Sequence, residues 1–280
     1  MSAQAGILSV LSVLLMPFAL SCLTIANWND HQSGIMFWLT YYSEESIMNA
    51  TRILAFLREV MMNNNRPWFQ EHKAEYLACK AEFEQGVAQA IARYAEFDPE
   101  IAHHQVKDCT YRFYRDIRFS EDKSPYKNHM GAYLCAHGKK SLRGGYYIHL
   151  EPDGCLLAGG SYWLPTPILT SCRNEIMGNI DQWRAAVENE EFRKYFGLPN
   201  EHQWGDKKGF GGADPLKTCP AGFPRDYEYI QYLRMKDYCC WTHVPDTFFD
   251  GDDWLEKSAK IFQIAKPMMD FMNAVIDDYE

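Results

Sequence analysis

The sequence predicts an α+β fold: an antiparallel β-sheet of about four to five strands flanked by an N-terminal helical hairpin and C-terminal helices. Three observations point there. Apolar residues recur at helical spacing through residues 48–94, alternate with period two through residues 103–164, and return to helical spacing after Pro165. Strands gathered in one block and joined by short turns pair antiparallel, whereas a parallel sheet needs a helix between successive strands.

Ile53, Leu54, Leu57 and Val60 or Met61 make the first helical stripe, which should stop in the run Asn63, Asn64, Asn65. Asn65 is then an N-cap for a second helix, with Pro67 in its first turn and Glu71 adding early negative charge. Phe69, Tyr76, Leu77, Phe83, Val87 and Ile91 carry that helix's apolar face, and Asp98-Pro99 lies beyond its end. Next, "HHQVKDCTYRFYRDIRF" alternates and is rich in strand formers, and "HMGAYLCAH" reads as a second strand. "GGYYIHLEPDGCLLAGGSYWL" reads as a hairpin turning at Pro152, Asp153 and Gly154. Helices follow over residues 168–180, 182–196, 227–233 and 254–276, with a Gly- and Pro-rich loop over residues 197–227. There is no internal repeat and no long linker, so residues 48–280 read as a single α+β domain.

Residues 1–47 read differently. Residues 6–26 are apolar enough for a signal or anchor, yet no Lys or Arg precedes Arg52, so the usual positive flank is missing. Three expectations follow: a start assigned too early, with Met48 as the true start; a genuine export or membrane-anchoring segment; or an ordered extension. The first makes the protein cytoplasmic; the second exports it or ties it to a membrane.

The 280 residues carry 28 Lys+Arg and 37 Asp+Glu, a net charge of -9 that disfavours general nucleic-acid binding. The charge is uneven. Residues 104–143 hold nine Lys or Arg against four Asp or Glu, and residues 226–280 hold five against twelve. An anion site, if present, is therefore local and lies in the basic stretch. Nine cysteines form no C-x-x-C pair, as expected of reduced thiols filling a core.

In "TYRFYRDIRFSEDKSPYKNH", alternation puts Arg115 on the apolar face with Phe113 and Ile117, and Arg112 and Arg118 on the other. A guanidinium among aromatic rings needs a carboxylate, a ring to stack on, or a ligand. Glu151 is a structural partner to consider. Lys123, Ser124 and Lys127 in the following loop add two ammoniums and a hydroxyl, suited to phosphate or carboxylate, although the glycine pattern of a phosphate-binding loop is absent. Tyr147, His149 and Glu151 alternate onto one strand face, where His149 and Glu151 make an acid/base pair or a structural hydrogen bond. His129 or His137 could complete a metal set with them, but no metal-ligand motif supports this, and neither a metal nor another cofactor is expected. Gly159 and Gly160 permit close approach of a ligand or a neighbour, and Trp68 and Trp163 offer stacking surfaces or core.

The blocks "NNNRPWFQEHKAEY", "FYRDIRFSEDKSPYKNHMGA", "GGYYIHLEPDGCLLAGG", "LKTCPAGFPRD" and "PMMDFMNAVI" resemble, in order, the microbial family catalogued as domain of unknown function 2461. The likeness runs from Met48 to Ile276 and implies no established activity. It carries over Arg112, Arg115, Arg118, Lys123, Ser124, Pro125, Tyr126, Lys127 and His129, then Tyr147, His149, Glu151, Gly159 and Gly160. Arg173, Lys217, Pro220, Gly222 and Asp226 follow. The family's usual Asp-His stands here as Asp226-Tyr227.

The function expected is a pocket for an anionic or phosphate-bearing small molecule, held by Arg112, Arg115, Arg118, Lys123, Ser124 and Lys127. His149 and Glu151 would move protons, with Trp68, His129, Tyr147, Gly159, Gly160 and Trp163 around them. The alternatives are a structural or partner-binding protein, its basic block paired with the acidic C-terminal helices, and a module that binds single-stranded nucleic acid.

Overall fold

The computed structural model describes residues 48–202, 206–212 and 214–280, so the expectations for residues 1–47 lie outside it. The described residues form nine α-helices and one five-stranded sheet. The N-terminal hairpin is α1 (Ala50–Met62), a short α2 (Arg66–Glu71) and α3 (Lys73–Tyr94), followed by a single turn, α4 (Val106–Cys109). Strands β1 (Met130–Leu134), β2 (Gly145–Leu150) and β3 (Leu156–Ser161) come next. Then follow α5 (Thr166–Gly178), α6 (Ile180–Val187), α7 (Glu190–Phe196), β4 (Lys208–Phe210), α8 (Ile230–Leu233), β5 (Tyr238–His243) and α9 (Trp254–Ile276).

The three asparagines that close the first helical stripe divide the labour of the turn. Asn63 sends its amide back to the Glu59 carbonyl, and Asn65 caps α2 by accepting from the Trp68 amide. Asn64 bonds both the amide and the carbonyl of Tyr126, tying a distant loop to the hairpin. Asn189 explains why residues 182–196 are two helices rather than one. Its side chain accepts from Phe192 N at 2.9 Å, starting α7 anew.

Strand order is β1-β2-β3-β5-β4, and every neighbouring pair is antiparallel. One face is the core side: Tyr146, Ile148, Leu150, Leu157, Tyr238 and Cys240 are buried. Tyr146 packs against Phe262 of α9 and Tyr94 of α3, with ring centroids 5.2 and 5.9 Å away. The opposite face carries Gly131 and Tyr133 from β1, Tyr147 and His149 from β2, Ala158 from β3, and Trp241 and His243 from β5.

The strand expected over residues 103–119 is absent. Residues 110–129 make only isolated bridges, Thr110 to Ala132 and Tyr114 to Tyr126. After joining the β1 edge through Tyr111 N and Gly131 O, the chain leaves the sheet and folds on itself. Its apolar residues are claimed by the helices instead: Phe113 packs on Tyr76 at 5.0 Å, and Tyr126 stacks on Phe69 at 3.9 Å. The fourth and fifth strands come from residues 208–210 and 238–243, inside or just beyond what reads as loop and short helix.

Among the described residues, no helix is long and apolar enough to cross a membrane.

Candidate functional site

Register builds the site. Met130 pairs with Leu150 and Gly131 with His149, so the residue before β1, His129, lies level with Glu151 on the face that carries His149. The His129 and His149 rings stack with centroids 4.4 Å apart. Tyr147, two residues before His149 on the same face, reaches it with its hydroxyl at 2.7 Å from Nδ1. A Cβ on Gly131 would lie 2.7 Å from that hydroxyl, so a side chain there would evict Tyr147.

His149 Nε2 lies 2.8 Å from Glu151 Oε2, and Asn128 donates from Nδ2 to Glu151 Oε1. Burial pushes the Tyr147 phenol up, leaving it a donor, and the His149 hydrogen bond holds the Glu151 carboxyl down, leaving it an acceptor. A neutral His149 with its proton on Nε2 therefore satisfies both neighbours. His129 is pushed down to about 4, by burial first and then by His149 and Lys127. It is uncharged at neutral pH.

Beside this cluster, over the same sheet face, lies a cavity of about 490 Å³. Tyr111, Tyr133, Tyr147 and Tyr162 give it aromatic walls, and Lys127, Lys139 and Arg143 give it charge. The three cations differ. Lys139 donates to the Lys107 and Thr110 carbonyls, and Arg143 is paired with Glu100 and Asp277. Lys127 has no carboxylate partner among the described residues; its ammonium sits 5.6 Å from the Tyr111 ring centre, and burial lowers its pKa.

The other basic residues read from the sequence stand elsewhere. Arg115 is half-buried, as alternation indicates, but its carboxylate is Asp122 rather than Glu151. Hydrogen bonds from Ser124 and from Arg115 hold the Asp122 carboxyl well below the usual range. Arg118 pairs with Asp116 at 2.7 Å, Lys123 donates to the Ile117 carbonyl at 3.0 Å, and Arg112 is exposed. Two of the excursion's five cations are thus ion-paired within it, and further along the basic stretch Arg143 ion-pairs with Asp277 at the end of the C-terminal helix.

Trp68 stacks on His72 at 4.1 Å, away from the cavity, and Trp163 is 74% exposed. Gly159 and Gly160 border the cavity, but the close approach at Gly160 is by protein. With φ +110, a Cβ there would lie 2.2 Å from the Tyr238 carbonyl oxygen. His137 bonds Glu280 at 3.0 Å, apart from the cluster.

Sequence reasoning missed Asn128, Tyr111, Tyr133, Tyr162, Lys139, Arg143 and Cys239. Tyr133 was within reach, since it shares the period-two face with Gly131. Cys239 depends on β5 lying beside β3, which no local spacing reveals.

Comparison with curated proteins and with solved structures gives no match. The family described as conserved hypothetical protein (DUF2461) matches residues 52–271, a span that includes nearly all of the hairpin helices, the whole sheet and every residue of the Tyr147, His149, Glu151 and His129 cluster. The chain therefore belongs to the DUF2461 family of conserved hypothetical proteins.

Proposed function

We propose that the cavity over the outer sheet face binds a small anionic molecule, carrying a phosphate or carboxylate and a flat apolar group. Lys127 carries the reading. A half-buried ammonium whose pKa is lowered by burial gains when an anion reaches it, and no carboxylate among the described residues already does so. The cavity's volume falls within the usual range for small-molecule sites, and its four tyrosines suit a flat group.

Proton transfer fits the same place. Tyr147 belongs to both the cavity wall and the hydrogen-bonded chain through His149 to Glu151, so a proton exchanged with a ligand at the phenol has a route to a carboxylate. The structural reading draws support from the internal pairing of Arg115, Arg118 and Lys123. It applies to that excursion rather than to the cavity.

A thermal-shift panel of nucleotides, sugar phosphates and aromatic carboxylates tests the proposal. A ligand present at a hundred times its Kd adds about 2.7 kcal/mol, or roughly 5 to 10 °C for a chain of this size. Lys127→Ala should abolish that gain while folding normally. A panel without a stabilising member, or a gain that survives Lys127→Ala, contradicts the reading.

A further inference from the structure

We infer that His129, His149 and Glu151 form a binding site for a divalent transition-metal ion of the zinc type. One ligand atom from each residue lies within 4.8 Å of the other two. Two imidazoles and one carboxylate are the donor set of a zinc site that keeps its fourth position open for water or substrate. This site stands on its own geometry and does not require an anion in the neighbouring cavity; the ion takes the place of the His149–Glu151 hydrogen bond, so the proton route to Glu151 belongs to the metal-free protein.

The backbone explains why three ligands can meet here. His149 and Glu151 are two residues apart at the end of β2 and share a face, and His129 is brought level with Glu151 by the β1–β2 register. Metal bonds of about 2.0 Å in a tetrahedron set ligand atoms roughly 3.3 Å apart. The His149 Nε2 to Glu151 Oε2 separation of 2.8 Å needs to open by only about half an ångström to meet that. His129 Nε2 has no hydrogen-bond partner among the described residues, and its ring is half-buried, so a small rotation closes the widest gap.

The groups behind the ligands are those a metal site uses. Tyr147 holds His149 Nδ1 at 2.7 Å, and Asn128 donates to the Glu151 oxygen that does not face His149. A metal on Nε2 moves the ring proton to Nδ1, where the Tyr147 oxygen accepts it, so the imidazole stays neutral and the Tyr147 O–H is freed to donate into the cavity it lines. Glu151 is partly open to solvent, and that side gives the ion its entry and its fourth ligand.

The test uses the full chain, stripped with chelator and titrated with cobalt(II). One equivalent should bind and give visible d–d bands without the near-ultraviolet charge-transfer band of a thiolate ligand, since the chain also carries nine cysteines. His129→Asn, His149→Asn and Glu151→Gln should each weaken the site by at least about tenfold, and Tyr147→Phe by about tenfold. Circular dichroism checks that each variant folds. If a variant does not fold, the wild-type spectrum still decides. No binding, a thiolate signature, or unchanged affinity in the folded variants overturns the inference.

Discussion

At the scale of single residues, two cations that look alike in the sequence have different work. Arg115 is satisfied by Asp122 within its own loop, and partly exposed pairs of this kind contribute little. Arg115→Ala should therefore lower stability by less than about 1 kcal/mol in urea unfolding and leave the ligand response of the cavity intact. His129 makes a pH-dependent prediction. It is held at about 4 against the usual 6.5, with His149, Lys127, Glu151 and Arg115 as its charged or titratable neighbours. Between those values the unfolded chain binds a proton that the folded one refuses, so this contribution to stability is intact above pH 6.5 and is lost as pH falls toward 4. Unfolding of metal-free protein at pH 7 and at pH 4.5 should show the fall, and His129→Gln should flatten it. The His149 and Glu151 pairing was legible because period two puts residues two apart on one face. The partner of Arg115 was not, because Asp122 meets it only after the chain has left the sheet.

At the scale of elements, the excursion over residues 110–129 shows how local pattern and tertiary environment part company. Its alternation holds only in part: Phe113 is buried and Arg112, Tyr114, Asp116 and Arg118 are exposed, but Phe119 and Tyr111, on the side that reads as apolar, are exposed too. The buried side faces helices rather than a second strand, so aromatic packing with Phe56, Phe69 and Tyr76 replaces a hydrogen-bonded ladder. Phe113→Ala should cost about 3 to 4 kcal/mol in chemical unfolding and loosen the loop that carries Lys127. A loss below 1 kcal/mol would mean that the excursion is not anchored there. Helices α1 and α9 were legible because their stripes are long and their ends are marked by asparagine or acidic turns. Strand β4 was not, because it has only three residues, and β5 was not, because its partners β3 and β4 lie far away in sequence.

At the scale of the molecule, the sheet separates two environments. The core face meets α3 and α9 through Tyr146, which packs on Tyr94 and Phe262, while the outer face holds the cavity, the Tyr147, His149, Glu151 chain and His129. The eight cysteines among the described residues are free, and six are buried, in keeping with thiols used as packing. The excess of positive charge over residues 104–143 was visible from composition. Its meaning was not, because the excursion pairs Arg115 and Arg118 with its own carboxylates and leaves Lys127 at the cavity wall. Binding at that wall is the central claim, and native mass spectrometry of the purified full chain tests it most directly. With the best anion from the ligand panel added, the wild type and Arg115→Ala should each carry one ligand mass, and Lys127→Ala should carry none. Equal occupancy in Lys127→Ala and wild type, or loss in Arg115→Ala alone, would contradict the account.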